Sequence, residues 1–209
     1  MTQDILKAIA QTRVIAIVRL QQYDRAVEIV QALVAGGITA IEFTLTGAGA
    51  NEAIRKSRLA LGEAAQIGVG TVLNIGAAHA AADCGAQFVV TPVYSPAVIH
   101  ACFTAGVPIL CGAQTATEAF NAHQDGAQMV KIFPARAGGP GYIKDILAPL
   151  PFLRLVPTGG ISAENARAFI DAGATAVGIG GNLVSAIDVA ASDWAAMTAK
   201  ARACADAVK

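Results

Sequence analysis

The chain has 209 residues, of which 55% are hydrophobic and only 14% charged, with 15 basic side chains balanced by 15 acidic ones. That length predicts a single domain spanning 1–209 with a large core, and zero net charge gives no clustered Lys and Arg to displace counterions from nucleic acid. No apolar run approaches the roughly 20 residues needed to cross a bilayer, and a charge content well below the roughly 25% usual in soluble chains predicts a surface partly buried in an oligomer.

In chain order, Met1 to Arg13 lacks the basic start, apolar middle and small-residue cleavage site of a secretory leader and reads as a short helix. Apolar, β-branched runs then recur at a nearly constant interval. They are Val14 to Arg19, Thr39 to Leu45, Ile67 to Gly70, Phe88 to Thr91, Pro108 to Cys111, Met129 to Phe133, Leu153 to Pro157 and Ala176 to Gly180. The interval suits one strand, one helix and two short loops. Between the runs lie Ala-rich stretches with helical periodicity, such as Ala26, Ile29, Val30 and Leu33. Glycine follows several of them, at Gly36-Gly37, Gly85, Gly106, Gly126 and Gly173, where helices are expected to stop.

Eight apolar strands alternating with helices predict an α/β fold, a compact (β/α)8 TIM barrel preceded by the short N-terminal helix. A doubly wound sheet would instead call for a Gly-rich turn after the first strand. Leu20-Gln21-Gln22-Tyr23 stands there, without glycine. Cys84, Cys102, Cys111 and Cys204 have no metal-ligand spacing and read as reduced core residues of a cytoplasmic protein. His79, His100 and His123 fall in expected helices, so no metal site is expected.

Barrel chemistry sits at the C-terminal ends of the strands, which makes charge inside a strand informative. Among six lysines only Lys131 lies within a strand, among fifteen carboxylates only Glu42 does, and Arg19 closes the first strand. Strand side chains alternate, so Lys131 shares a face with Met129 and Phe133, and Glu42 with Ala40 and Thr44. One reading is a buried structural ion pair, which contributes little net stability. The other is chemical: an enclosed lysine offers free amine as a nucleophile toward carbonyls. A carboxylate nearby, reached through water if need be, can then exchange protons with the reacting carbinolamine.

The seventh and eighth strands end in Pro157-Thr158-Gly159-Gly160-Ile161 and Gly178-Ile179-Gly180-Gly181-Asn182. Such turns let backbone N–H groups approach an anion, and in this fold they frequently hold phosphate; the alternative is a pair of tight turns without a ligand. Gly70-Thr71-Val72 closes the third strand with a hydroxyl at the barrel mouth, in either a binding or a structural role.

The stretches Ile15-Ala16-Ile17-Val18-Arg19, Ile41-Glu42-Phe43-Thr44, Gly70-Thr71-Val72-Leu73, Val130-Lys131-Ile132-Phe133-Pro134-Ala135 and Pro157-Thr158-Gly159-Gly160-Ile161, in this order, resemble the 2-keto-3-deoxy-6-phosphogluconate (KDPG) and 4-hydroxy-2-oxoglutarate (KHG) aldolases. The resemblance implies a homotrimeric class I lyase without cofactor or metal. It would cleave a phosphorylated 2-keto-3-deoxy sugar acid to pyruvate and glyceraldehyde 3-phosphate. It also implies that Lys131 forms the Schiff base and Glu42 is the general acid and base. Arg19 and Thr71 would bind the substrate carboxylate, Pro92, Phe133 and Thr158 the sugar chain, and Gly159, Gly160, Gly180 and Gly181 the phosphate. Many members carry an Arg soon after the second-strand Glu; Thr46-Gly47 stands there, which shifts the carboxylate role to Arg19. Arg136 to Tyr142 looks closer to the phosphogalactonate branch and Thr158 to the phosphogluconate branch, so either epimer stays open as substrate. Two other readings of the residues remain: a phosphate-binding barrel of the isomerase or synthase kind, and a non-catalytic sugar-phosphate binder.

Overall fold

The computed structural model describes residues 2–209. A first helix, α1 (Thr2–Thr12), precedes eight parallel strands: β1 (Val14–Val18), β2 (Ala40–Thr44), β3 (Gln66–Gly70), β4 (Val89–Val90), β5 (Ile109–Ala113), β6 (Met129–Ile132), β7 (Leu155–Pro157) and β8 (Val177–Ile179). Helices alternate with them: α2 (Ala26–Ala35), α3 (Ala50–Leu61), α4 (Ile75–Asp83), α5 (Pro96–Thr104), α6 (Ala116–Gln124), α7 (Gly139–Leu147) and α8 (Ala166–Asp171). The chain then runs through α9 (Ala186–Ala190) and α10 (Trp194–Ala207).

Each strand pairs with its sequence neighbour and β1 also pairs with β8, giving the order β7-β6-β5-β4-β3-β2-β1-β8. The remaining join, between β7 and β8, is made by a single bridge of Thr158 to Gly178 and by the Thr175 N–H donating to the Leu155 carbonyl at 2.9 Å. The result is the expected barrel with its N-terminal helix. The fifth strand runs past its expected end at Cys111, because Gly112 and Ala113 stay in register with Lys131 and Ile132.

Alternation of side chains divides the core in two. The larger cluster lies between strands and helices and includes Val14, Phe43, Ile67, Val130 and Val177. The smaller one fills the barrel from within, combining Ile15, Ala40, Phe88, Val90, Leu110, Met129, Val156 and Ala176 with Ile5, Leu6 and Ile9 from α1. The amphipathic first helix thus closes the end of the barrel at which the strands begin.

Helices α2, α4, α5, α6 and α8 end alike. Gly37, Gly85, Gly106, Gly126 and Gly173 each take a positive φ, and the next residue's N–H returns to a carbonyl five positions back, as from Ile38 to Leu33 and from Ala174 to Phe169. A left-handed residue closes the helix cheaply only when it lacks a Cβ, so the glycine stops seen in the sequence set five of the returns into the sheet. No described helix is long and apolar enough to cross a membrane.

Candidate active site

Glu42 stands on β2 and Lys131 on β6, four strands apart in the ring, so their side chains meet across the barrel interior. Lys131 is 4% exposed and Glu42 1%, with Nζ 3.8 Å from Oε1. That separation is too long for a hydrogen bond, and Oε1 has no hydrogen-bond partner. A cavity of ≈ 10 Å³, room for about one water, is lined by both residues with Ile17, Leu110, Val156 and Thr158. Burial pushes the Glu42 carboxyl above the usual carboxylate range, and the charges of Lys131 and Arg19 oppose the rise without cancelling it. The pair is therefore loosely held, as proton exchange requires and as a tight structural ion pair would not be.

Inward-facing glycines give the pair its space. A Cβ on Gly70 would lie 2.6 Å from Glu42 Oε1, and one on Gly178 would lie 2.4 Å from Thr158 Oγ1. Gly112, the register neighbour of Lys131 on β5, would carry its Cβ 2.3 Å from the Pro92 carbonyl carbon, so its bareness lets the Pro92 turn close over the strand end. The sequence reading did not assign Gly70, Gly112 or Gly178 to the site. Their signal is glycine at inward positions of otherwise β-branched strands, where close approach is the usual reason for it.

The other expected site residues gather at the same end. Phe133 follows β6, its ring centroid 5.5 Å from Lys131 Nζ, and a Cβ on Gly159 would lie 3.2 Å from Cε2 of that ring. Thr158 is buried and lines the cavity. Arg19, just past β1, is exposed and close enough to favour the charged form of Glu42. A side chain at position 47 would meet the Leu20 carbonyl, 2.1 Å from a Gly47 Cβ, so the second-strand loop has no room for one at that position. Thr71 takes φ 61, a left-handed conformation that is an outlier for a β-branched residue. Such strain is retained where a side chain must be aimed.

Gly159 and Gly160 also take positive φ, at 95 and 84. Among the described residues, the N–H groups of Gly160, Gly181 and Asn182 make no hydrogen bond within the chain, whereas the Gly180 carbonyl accepts from Leu183 and Val184. The Asn182 side-chain amide donates to the Ile161 carbonyl at 2.9 Å and ties the two glycine turns together. Asn182 is thus a site-building residue that sequence reasoning had left without a role.

The remaining polar groups lie apart from this site. His79, His100 and His123 are exposed on helices, and no metal-holding group of His, Cys, Asp or Glu occurs among the described residues. All four cysteines are buried and unpaired. Burial raises each thiol above its ordinary value, that of Cys102 to about 12, which leaves little thiolate for nucleophilic work.

The family model for KDPG and KHG aldolases matches residues 5–200. The chain is 38% identical to the 2-dehydro-3-deoxy-phosphogluconate aldolase of Treponema pallidum over 93% of each chain. It is 39% identical to the 2-dehydro-3-deoxy-6-phosphogalactonate aldolase of Escherichia coli, covering 82% of this chain and 84% of that one. Among solved structures, the Legionella pneumophila KDPG aldolase with pyruvate captured as a covalent carbinolamine superposes with a TM-score of 0.89. It is 27% identical and covers 96% of this chain and 97% of that one.

Proposed function

Because the chain belongs to the KDPG and KHG aldolase family, we propose that it is a class I aldolase, needing no cofactor, whose substrate is a 2-keto-3-deoxy-6-phospho sugar acid. Cleavage yields pyruvate and glyceraldehyde 3-phosphate. The observation that carries the reading is the Lys131 amine set 3.8 Å from the Glu42 carboxylate inside an apolar barrel.

Lys131 Nζ adds to the C2 ketone to give a carbinolamine, and Glu42 donates the proton with which water leaves as the imine forms. The protonated imine withdraws electrons from C3. Glu42, now ionised, takes the proton of the C4 hydroxyl; the C4 oxygen becomes the aldehyde carbonyl, and the C3–C4 bonding pair passes into the enamine. Glu42 returns its proton to C3, and water releases pyruvate from the lysine. A single group serves as acid and base in turn, which suits a carboxyl raised by burial yet accessible to its ionised form.

Arg19 and Thr71 hold the substrate carboxylate, Pro92, Phe133 and Thr158 flank the carbon chain, and the turns of Gly159, Gly160, Gly180 and Gly181, with the unpaired N–H groups of Gly160 and Gly181, receive the phosphate. The family match weighs against an isomerase, a synthase or a binder without turnover, since none of those requires an imine-forming lysine. The proposal extends to a cytoplasmic homotrimer formed by one domain over 1–209; light scattering that returned a monomer would remove the trimer.

Borohydride reduction in the presence of pyruvate, followed by mass mapping, tests the chemistry: an adduct on Lys131 is expected, and its absence ends the mechanism. Cleavage rates on the phosphogluconate and phosphogalactonate epimers and on 4-hydroxy-2-oxoglutarate rank the substrates, with the phosphorylated pair expected to be fastest.

A further inference from the structure

The glycine turns after β7 and β8 offer a phosphate only neutral N–H donors, and a dianion held by these alone lacks a counter-charge. Arg136 is placed to supply one. It sits in the 3-10 turn Ala135–Ala137 that follows β6, and that turn is fastened to the β7 loop. The Ala135 N–H donates to the Thr158 carbonyl at 2.8 Å and the Arg136 N–H to the Gly159 carbonyl at 3.0 Å.

The Arg136 side chain then runs along Gly160. A Cβ built on Gly160 would lie 2.9 Å from Arg136 Cβ, 3.6 Å from Nε and 3.8 Å from Cδ, so the glycine leaves the guanidinium stem its path. Arg136 is exposed and makes no side-chain hydrogen bond or ion pair among the described residues. Glu164, an acid on the same loop, is engaged by the Ser162 hydroxyl. Lys131, the Phe133 ring, Gly159, Gly160 and Arg136 therefore form a continuous row from the nucleophile to a free cation.

Resting on the aldolase reading, we infer that Arg136 is a specificity-determining residue, which pairs with the distal phosphate and selects phosphorylated over unphosphorylated substrates. The planar fork of a guanidinium suits phosphate oxygens geometrically as well as by charge.

The test measures KM and kcat for the phosphorylated sugar acid, and borohydride trapping of pyruvate, in wild type, Arg136→Ala and Arg136→Lys. Pyruvate carries no phosphate, so trapping reads the imine chemistry alone. Arg136→Ala is expected to raise KM about tenfold, the lower range for a charge-assisted contact because the site is exposed, with trapping unaltered. Arg136→Lys should recover part of the loss. High salt should raise the wild-type KM and leave that of Arg136→Ala nearly flat. An unchanged KM in Arg136→Ala overturns the inference, as does a parallel fall in trapping, which would mark a merely structural arginine. Failure of the wild type itself to trap pyruvate would instead strike the aldolase reading beneath it.

Discussion

The two halves of the barrel interior are built from the same strands and differ sharply in content. Where the strands begin, Ile15, Ala40, Phe88, Met129 and Ala176 form one buried apolar cluster with Ile5, Leu6 and Ile9 of α1. Toward the strand ends, two or four residues further along, stand Glu42, Thr44, Lys131 and Thr158, spaced apart by Gly70, Gly112 and Gly178. The first half resembles any close-packed core, whereas the second takes charge out of water and leaves glycines where side chains would add contacts. Stability and chemistry are thus divided along each strand, as is usual in this fold.

That division can be broken from either side. At the strand ends, Glu42→Gln is expected to lower kcat by about 10²- to 10⁴-fold, the usual worth of a positioned acid and base, with folding intact. Gly70→Ala comes next. Its methyl would press on the flexible end of Glu42 at 2.6 Å, displacing the carboxylate, and because misplacement by about 1 Å can cost as much as 10²-fold in rate, a loss of about 10- to 100-fold is expected with little change in Tm. At the other end, Ile9→Ala should remove about 2–5 kcal/mol of stability through transfer and cavity costs while kcat stays near wild type. A rate loss comparable to that of Gly70→Ala would show that the two halves are not separable.

The smallest effect sharpens the comparison by pH. Burial holds the Glu42 carboxyl above its ordinary 4.5 in the fold, so between that value and the raised native one the folded chain binds more protons than the unfolded chain. Stability contributed by this group is then lost as pH rises through that window. Glu42→Gln abolishes the slope, and denaturant titrations of wild type and variant at several pH values above 4.5 should diverge progressively; parallel curves would contradict the assignment.

Much of this was legible in the sequence, for identifiable reasons. Lys131 and Glu42 stood out because charge is costly in a strand buried on both faces, and the five helix-ending glycines announced themselves by following helical stretches. Alternation placed Met129 and Ala40 with them on the inward faces, as the structure has it. Period and spacing could not reveal that β2 and β6 face each other, since that follows only from closing the ring. Nor could they show the left-handed backbone of Thr71, the pressure of the Leu20 carbonyl on position 47, or the Asn182 amide crossing to Ile161, each of which depends on segments distant in sequence coming together.

The thin join between β7 and β8 carries a consequence for how substrate and scaffold act on each other. Most adjoining strands in the ring share a ladder of two to five pairs and β3 and β4 share the single pair Val69 and Val89, but here one isolated bridge, one further backbone bond and the Asn182 amide do the holding. The two proposed phosphate loops flank this join, so a ligand gripped by both acts as the missing rung. On that proposal the substrate would complete the closure of the barrel, and part of its binding energy would become the rigidity of the wall beside Lys131.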